Sequence, residues 1–258
     1  MPTIGLRLLV GLLLSVLIGW VAYRRGSLTR SGWLGAVLTG TLTFGFGGFG
    51  WGAALITFFA TSTLLSRFKQ RYKEQVAGEK FEKGGRRDLM QALANGGLGA
   101  LLAVVFGLGG EDGIVLAAFA GALATVNADT WATELGVLNR SAPRLVTTLQ
   151  PVAAGTSGAI SVVGTLASAA GAATIGVVLV AGTGLERGEW HWWLVVAAAA
   201  GGVLGSLCDS LLGATVQAIY RGANGETERA AASGLALPLV RGWRWMNNDM
   251  VNFLSSCV

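Results

Sequence analysis

The stretch Asn127-Ala-Asp-Thr-Trp-Ala-Thr-Glu-Leu-Gly136 closes an apolar run that begins near Ile114. It places two carboxylates, Asp129 and Glu134, where a membrane-spanning helix is normally apolar. A charged side chain at the centre of such a helix costs about 2.5–3.5 kcal/mol on insertion scales, so it usually faces a partner, a cavity or a substrate. We therefore interpret Asp129 and Glu134 as functional. The alternative is that the run ends early and these residues form a solvated helix end.

The spacing of polar residues within this stretch bears on the choice. In a helix, Asn127, Thr130 and Glu134 share one face, while Asp129 and Thr133 lie nearly opposite. Polar groups on both faces require either a broken helix or a water-filled cleft around the helix end. Either arrangement makes this stretch the candidate centre of a site.

The composition is that of a polytopic membrane protein. Of the 258 residues, 52% are hydrophobic and 13% are charged, and the mean hydropathy is +0.58. We expect an all-α membrane helix bundle that forms a single domain over residues 1–258, with about seven spanning helices and a short C-terminal helix. The apolar runs that predict these helices cover residues 6–23, 33–46, 51–65, 91–108, 114–137, 159–181, 192–212 and, for the short helix, 245–254.

Basic residues cluster between the apolar runs. A loop at about residues 66–90 is the most charged, with eight Lys or Arg against four acids between residues 66 and 88. Such loops stay cytoplasmic, which predicts an outside N-terminus in an integral protein of the cell inner membrane. We expect the net charge of +5 to favour contact with anionic membrane lipids. Nucleic acid is not an expected partner.

Further polar clusters fall at the predicted cytoplasmic helix ends. The first joins Lys83, Arg86 and Arg87 to a helix that bears Gln91 and Asn95. Because arginine guanidinium groups bind phosphate oxygens in pairs, we predict a phosphate-binding site here. The alternative is that these cations only anchor the membrane topology.

Two more groups of polar residues belong to the same predicted membrane face. Asp209 lies inside the last long apolar run, where a buried carboxylate is expected to be functional, and Ser210 and Gln217 share a helix face beside it. Thr156 and Ser157 form a turn with flanking glycines, which would offer N–H groups and hydroxyls to an anion if the turn begins a helix. Helix capping alone is the alternative for that turn.

The C-terminal segment adds Asn248, Asp249 and Asn252, of which the last two are one helical turn apart. Together with Asp129 and Asp209, Asp249 would complete a set of three aspartates at one membrane face. Carboxylate and amide oxygens suit Mg²⁺, which bridges protein carboxylates to substrate phosphates. We therefore predict metal binding by the three aspartates and phosphoryl or nucleotidyl transfer as the reaction. No P-loop motif, G-x-x-x-x-G-K-[ST], occurs in the chain.

Several of these motifs resemble those of a known family. Asn95-Gly-Gly97, Asp129–Gly136, Gly155–Gly158, Asp209–Thr215 and Asn247–Leu254 are similar to the integral membrane family that includes transmembrane protein 19 and the phytyl-phosphate kinases of tocopherol biosynthesis. The resemblance implies that an isoprenoid monophosphate, such as phytyl phosphate, is converted to the diphosphate by a nucleoside triphosphate, with CTP favoured.

The resemblance and the clusters together give a set of expected site residues. We assign catalytic roles to Asp129, Glu134, Asp209 and Asp249. The expected substrate-binding and phosphate-binding residues are Lys83, Arg86, Arg87, Asn95, Thr156, Ser157, Ser210, Gln217, Asn248 and Asn252.

Two other functions remain open from the sequence. A CTP-dependent cytidylyltransferase would use the same residues but attack the α-phosphate of the nucleotide. A membrane transporter would place its acids near the middle of the membrane, at broken helices related by internal symmetry. A homo-oligomer is also compatible with the sequence.

Overall fold

A computed structural model describes residues 3–77, 80, 85–110, 112–223, 225–232 and 234–258 of the chain. In these residues the helices are α1 (Ile4–Arg24), α2 (Arg30–Leu42), a π-helical turn (Thr43–Gly47), α3 (Phe49–Arg67), α4 (Gln70–Ala77), α5 (Leu89–Gly109), α6 (Gly113–Gly136), α7 (Val162–Arg187), α8 (Trp193–Thr215) and α9 (Asn248–Ser256).

The expected helical membrane bundle is confirmed. By length and composition, α1, α3, α5, α6, α7 and α8 can each cross a membrane. The remaining predicted span corresponds to α2, whose 13 residues continue directly into the π-helical turn of five residues. Gly48 then turns the chain into α3 with a φ of 95°, a backbone conformation that glycine adopts at little cost.

Most helix starts are encoded locally. Six helices begin after a residue whose side-chain oxygen accepts a hydrogen bond from a backbone N–H in the first turn, which satisfies one of the donors that a helix start leaves free. These N-cap residues are Thr3, Thr29, Asp88, Asp112, Ser161 and Asn247.

Helix α6 forms the centre of the bundle, where it packs against α7 and α8. The approach is close because glycine stands at the crossings. A Cβ atom at Gly205 would come within 2.1 Å of the Thr125 hydroxyl, and one at Gly202 within 3.0 Å of the Ala124 backbone. In a membrane, where neighbouring lipid is as apolar as the protein, such close backbone packing is a main source of helix association.

The two ends of the bundle differ in chemistry. At one end, Trp51 stacks on Phe119 with ring centroids 4.0 Å apart and tilts against Phe106 at 4.7 Å, and all three side chains are buried. At the other end, the Arg67 guanidinium donates to the Arg25 carbonyl at 2.7 Å, which joins the ends of α1 and α3. The end of α1 therefore lies at the same end of the bundle as the start of the basic loop; the side that faces the cytoplasm stays a prediction.

The structure adds short antiparallel strands that the sequence analysis did not predict. One sheet pairs β1 (Arg144–Leu145) with β2 (Ala159–Ile160), a second has the order β4-β3-β7, and a third pairs β5 with β6. The strands of the last two sheets are β3 (Ile219–Gly222), β4 (Gly225–Thr227), β5 (Ala231–Ala232), β6 (Leu235–Ala236) and β7 (Leu239–Arg241).

One expectation for a helix start is corrected by this arrangement. The apolar run predicted from residue 159 begins as strand β2, and α7 starts only at Val162, capped by Ser161. The turn Gly155–Gly158 therefore precedes a strand. It neither begins nor caps a helix, so an anion there would meet turn N–H groups and hydroxyls without a helix terminus.

The packing of α8 on α6 can be tested with a single methyl group. In Gly205→Ala, the new Cβ collides with Thr125, and the repacking should cost about 1–3 kcal/mol, more than the roughly 1 kcal/mol gained from helix propensity. In Gly121→Ala the same methyl group on α6 meets nothing within 4 Å, so stability should be equal or higher. Thermal unfolding in detergent measures both; equal midpoints for the two variants would contradict the close packing.

Candidate functional site

A polar cavity of about 1080 Å³ opens where the ends of α3, α5, α6 and α8 meet. Its wall takes side chains from these helices and from α4, α7, α9 and the turn Gly155–Gly158. Of the predicted site residues, the cavity wall contains Asp129, Glu134, Asp209, Arg86, Arg87, Asn95, Thr156, Ser157, Ser210, Gln217, Asn248 and Asn252.

The cavity extends into the bundle from the helix ends. Asp129 is seven residues before the end of α6, Asp209 is six residues before the end of α8, and Asn95 is six residues after the start of α5. At 1.5 Å per residue, all three lie about 10 Å inward from their helix ends. When these helices span a membrane, the three polar side chains therefore lie well inside the bundle, away from its end.

Asp129 and Asp209 are the central carboxylates of the cavity. Helix α6 runs unbroken through Asp129, so the polar stretch is accommodated by a cleft and not by a break in the helix. Asp209 accepts a hydrogen bond from the Ser255 hydroxyl at 3.0 Å, and it lines the same cavity as Asp129. Two carboxylates held together in this way create a strong local preference for a cation.

Glu134 has a different environment from the two aspartates. Its Oε2 forms an ion pair with Lys73 of α4, and its Oε1 accepts a hydrogen bond from Ser66. Lys73 is 8% exposed and also donates to the Leu65 carbonyl at 2.6 Å. Glu134 therefore fastens α4, part of the predicted basic loop, to the wall of the cavity.

Asn127 is a structural residue despite its place in the central motif. It is fully buried, its Nδ2 donates to the Gly171 carbonyl at 2.7 Å, and its Oδ1 accepts from the Thr61 hydroxyl at 3.2 Å. These bonds link α6 to α7 and α3. The predicted face shared by Asn127 and Glu134 thus holds the helices together, whereas the opposite face of α6 carries Asp129.

Arg87 is positioned by its backbone as well as its side chain. Its N–H donates to the Ser27 carbonyl at 3.0 Å, and its carbonyl accepts from Thr29 at 2.9 Å. Gly32 permits this pairing, because a Cβ there would lie 2.1 Å from the Arg87 oxygen. The Arg87 side chain donates to the Thr63 hydroxyl at 3.1 Å.

The charge of Arg87 persists in this setting. Burial lowers the pKa of Arg87, and the nearby Glu134 carboxylate opposes that shift. An arginine nevertheless remains protonated at neutral pH. Its neighbour Arg86 is more exposed and donates to the Leu28 carbonyl at 3.2 Å. Arg86 and Arg87 therefore both line the cavity, and their binding of phosphate stays a prediction.

The turn that holds Thr156 and Ser157 is tied to the end of α8. The Ser157 hydroxyl is hydrogen-bonded to Gln217 and lies 3.1 Å from the Gly213 carbonyl. Arg241 of β7 donates to the same Gly213 carbonyl at 2.7 Å. No sequence pattern marked Arg241, because its role depends on the unpredicted strands that place it beside α8.

A lysine outside the assigned set contacts this turn. The Lys80 ammonium donates to the Thr156 hydroxyl at 3.1 Å. Burial lowers the pKa of Lys80, and the charge of Glu226 works against that change. Lys83, the lysine assigned to phosphate from sequence, lies outside the residues that the structure describes.

The predicted cluster of three aspartates is not formed. Asp249 is 5% exposed and lies in the first turn of α9, but it is absent from the cavity wall. Over the described ranges, no three His, Cys, Asp or Glu residues are grouped to hold a metal ion. The C-terminal segment instead contributes Asn252, which donates from Nδ2 to Asn95 Oδ1 at 3.2 Å. Asp249 is instead buried in the first turn of α9, where the positive end of the helix dipole favours a carboxylate.

Several polar atoms of the cavity wall lack a protein partner. Within the described part of the chain, buried atoms without a hydrogen bond include Gln91 Oε1, Ser168 Oγ, Gln217 Nε2 and Asn252 Oδ1. A buried polar group left unsatisfied costs about 1–3 kcal/mol. Their presence on one wall fits a cavity that binds a polar ligand, and the oxygens among them suit a hard cation or the hydroxyl of a protonated phosphate.

Comparison with known proteins assigns the chain to a family. The family described as "Integral membrane protein DUF92" matches residues 13–258. The chain belongs to this family. That result confirms the family resemblance found in the motifs, and it covers every element that forms the cavity.

The chain is similar to proteins from a plant and from an archaeon. Protein PGR of Arabidopsis thaliana is 32% identical over 96% of this chain and 92% of its own length. An uncharacterized membrane protein of Methanocaldococcus jannaschii is 32% identical over 81% of the chain and 83% of its own length. Protein VTE6, chloroplastic, of Arabidopsis thaliana is 26% identical over 88% of the chain and 62% of its own length. No solved structure matches the chain.

The ion pair between Glu134 and Lys73 should hold α4 against the bundle. Removing either partner leaves the other poorly compensated, which costs about 3–5 kcal/mol in a fully buried pair and less here, where Glu134 is 20% exposed. Lys73→Met and Glu134→Gln should each loosen α4 and speed tryptic cleavage after Lys69 or Arg71.

A matched control separates this anchoring role from catalysis. Glu74→Gln makes the same change on α4 at an exposed residue whose carboxylate accepts a hydrogen bond from exposed Gln70, and cleavage should stay near wild type. If Glu134→Gln leaves α4 protected yet abolishes turnover, Glu134 is catalytic and the anchoring role is wrong.

Proposed function

We propose that this protein is a nucleotide-dependent kinase that phosphorylates an isoprenoid monophosphate to the diphosphate, with Mg²⁺, at the cytoplasmic end of the bundle in the cell inner membrane. The observation that carries the proposal is one cavity, about 10 Å deep along the helices, whose wall brings together the carboxylates Asp129 and Asp209 and the arginines Arg86 and Arg87. Such a cavity can receive a water-soluble nucleotide and the phosphate of a membrane-embedded lipid together.

The carboxylates fit the metal that this chemistry needs. Mg²⁺ keeps several waters and is bound through one or two carboxylates plus substrate phosphates, so Asp129 and Asp209 suffice without Asp249. The amide oxygens of Gln91 and Asn252, which lack a hydrogen bond within the described residues, lie in the wall of the same cavity. When bound there, Mg²⁺ would neutralise charge on the phosphate oxygens of the nucleotide.

The other residues have roles in binding and orientation. Arg86 and Arg87 would hold phosphate oxygens by paired N–H bonds, with CTP favoured as donor. An oxygen of the lipid monophosphate forms a bond to the γ-phosphorus while the bond from that phosphorus to the β–γ bridging oxygen breaks. The nucleoside diphosphate leaves with that electron pair. The turn that holds Thr156 and Ser157 lies on the same cavity wall as Gln217, so Thr156 can contact the remaining phosphates while Ser157 keeps the turn in place.

Two observations favour a kinase over the alternatives. The motifs resemble those of phytyl-phosphate kinases, which supports attack on the terminal phosphate over attack on the α-phosphate by a cytidylyltransferase. Against a transporter, the acids lie towards one end of α6 and α8, and the packed rings of Trp51, Phe106 and Phe119 occupy the opposite half.

The products decide between the two transfer reactions. Purified protein is incubated with phytyl phosphate, Mg²⁺ and either CTP or ATP. A kinase releases the nucleoside diphosphate, and phytyl diphosphate appears in equal amount. Pyrophosphate together with a cytidylyl lipid would establish the cytidylyltransferase, and absence of any lipid product would exclude both transferases for this substrate.

Asp129 and Asp209 should be essential for turnover. Asp129→Asn and Asp209→Asn remove the charge that a metal needs while keeping the side-chain shape. Because metal stabilisation of the transition state is worth several kcal/mol, the rate should fall about 100-fold or more. Asp112→Asn is the matched control at the opposite end of α6, since Asn caps helices as well as Asp. Full activity of Asp129→Asn would remove Asp129 from the metal site.

Arg86 and Arg87 should act through phosphate geometry and not through charge alone. Lysine keeps the charge but loses the guanidinium fork, so Arg86→Lys and Arg87→Lys should each lower kcat/KM about 10–100-fold. A rise in KM alone indicates contacts in the ground state, and a fall in kcat indicates contacts to charge that develops in transfer. Arg24→Lys, at an exposed arginine outside the cavity wall, serves as the control. Unchanged kinetics in all three variants would leave these arginines as topological anchors.

A further inference from the structure

A second, smaller cavity adjoins the polar one. It has a volume of about 100 Å³ and lies among α1, α2, α3 and α5, with walls that are almost entirely apolar. Leu14, Ala36 and Ile56 are typical of its lining. We refer to it as the apolar slot. Nothing in the proposed phosphate chemistry uses this space.

The apolar slot and the polar cavity share part of their walls. Arg87, Gln91 and Asn95 line both spaces. One molecule can therefore place a charged group on the Arg87 side of these residues and an apolar group on the other. The Arg87 guanidinium also lies 5.7 Å from the ring centre of Phe59, another residue of the slot.

The slot is also open towards the bilayer. Leu14 of α1 and Ile56 of α3 line it and are 38% and 42% exposed on the outside of the bundle. Helix α1 turns most of its surface outward, with Leu9, Leu13 and Leu17 more than half exposed. A chain that leaves the slot between α1 and α3 thus continues directly into the hydrocarbon.

From this continuity we propose that the apolar slot is the binding subsite for the part of the lipid chain nearest the phosphate, with the phosphate itself on Arg87. This inference rests on the proposed function and adds where the substrate tail lies. An apolar cavity of about 150 Å³ binds one benzene, so a slot of about 100 Å³ holds only the first few carbons. The remainder of the chain lies against α1 and α3 in the membrane.

This arrangement predicts which part of the substrate is selected. The enzyme senses the shape of the chain next to the phosphate and tolerates wide variation in its far end, because that end is solvated by lipid tails. The dissociation constant therefore changes strongly when the slot is filled, and the binding of a phosphate without a tail does not change.

The proposal can be tested by filling the apolar slot with a larger side chain on α2. Ala36→Phe places a ring in the slot, and Ala118→Phe makes the same substitution at an exposed position of α6 that lines neither space. Dissociation constants for phytyl phosphate and methyl phosphate are measured on purified protein in phosphatidylcholine nanodiscs. Each methylene displaced from an apolar site changes affinity about fourfold, so Ala36→Phe should weaken phytyl phosphate at least tenfold. Methyl phosphate should bind all variants alike, and Ala118→Phe should match wild type.

A second variant covers the case in which the ring disturbs folding. Ile56→Ala removes contact from the slot without adding bulk, and it should weaken phytyl phosphate about fourfold or more while leaving methyl phosphate unchanged. Wild-type affinity for phytyl phosphate in both Ile56→Ala and a folded Ala36→Phe would overturn the subsite.

Failure of the proposed function gives a different result. If wild type binds phytyl phosphate with the predicted dependence on the slot but consumes no nucleotide, the subsite stands and the kinase proposal falls. If wild type binds neither phosphate, both fall.

Discussion

The close packing of α6 against α7 and α8 is the constraint on which the site depends. The helix backbones approach one another closely at Gly171, Gly202 and Gly205. Asn127 reinforces this packing with buried hydrogen bonds to α3 and α7. This rigid half carries Asp129 and Asp209 at matching depths. The remaining helices can therefore surround a water-accessible cavity without the carboxylates losing their relative position.

The cavity residues divide into those that position and those that face a ligand. The positioning residues bond to other protein segments. Glu134 holds α4 in place through Lys73, and Ser157 and Arg241 hold the Gly155–Gly158 turn and β7 against the end of α8. Gln91 and Asn252 keep buried oxygens without partners within the described residues. In a folded protein such atoms are costly, which is why they mark where a ligand is expected.

The helical part of the fold was predictable because long apolar runs carry a strong signal. Asp129 and Asp209 were conspicuous for the same reason, since charge inside such a run is rare. The strands between Ile219 and Arg241 were not predictable, because segments of two to four residues are too short to show alternation. Lys73 was missed as well: its partner Glu134 is 61 residues away, and only the folded chain brings the pair together. Asp249 does not line the cavity, because the place where the short helix α9 packs is not specified by the spacing of its residues.

The aromatic packing of Trp51, Phe106 and Phe119 has an electrical consequence. Water in the cavity is at the potential of the compartment it contacts, so the transmembrane voltage falls mainly across the sealed half of the bundle. Moving one charge through 100 mV is worth about 2.3 kcal/mol, yet a polyanion that enters the cavity crosses little of that field. Asp129 and Asp209 can thus be reached by highly charged molecules at a cost that is nearly independent of membrane energisation.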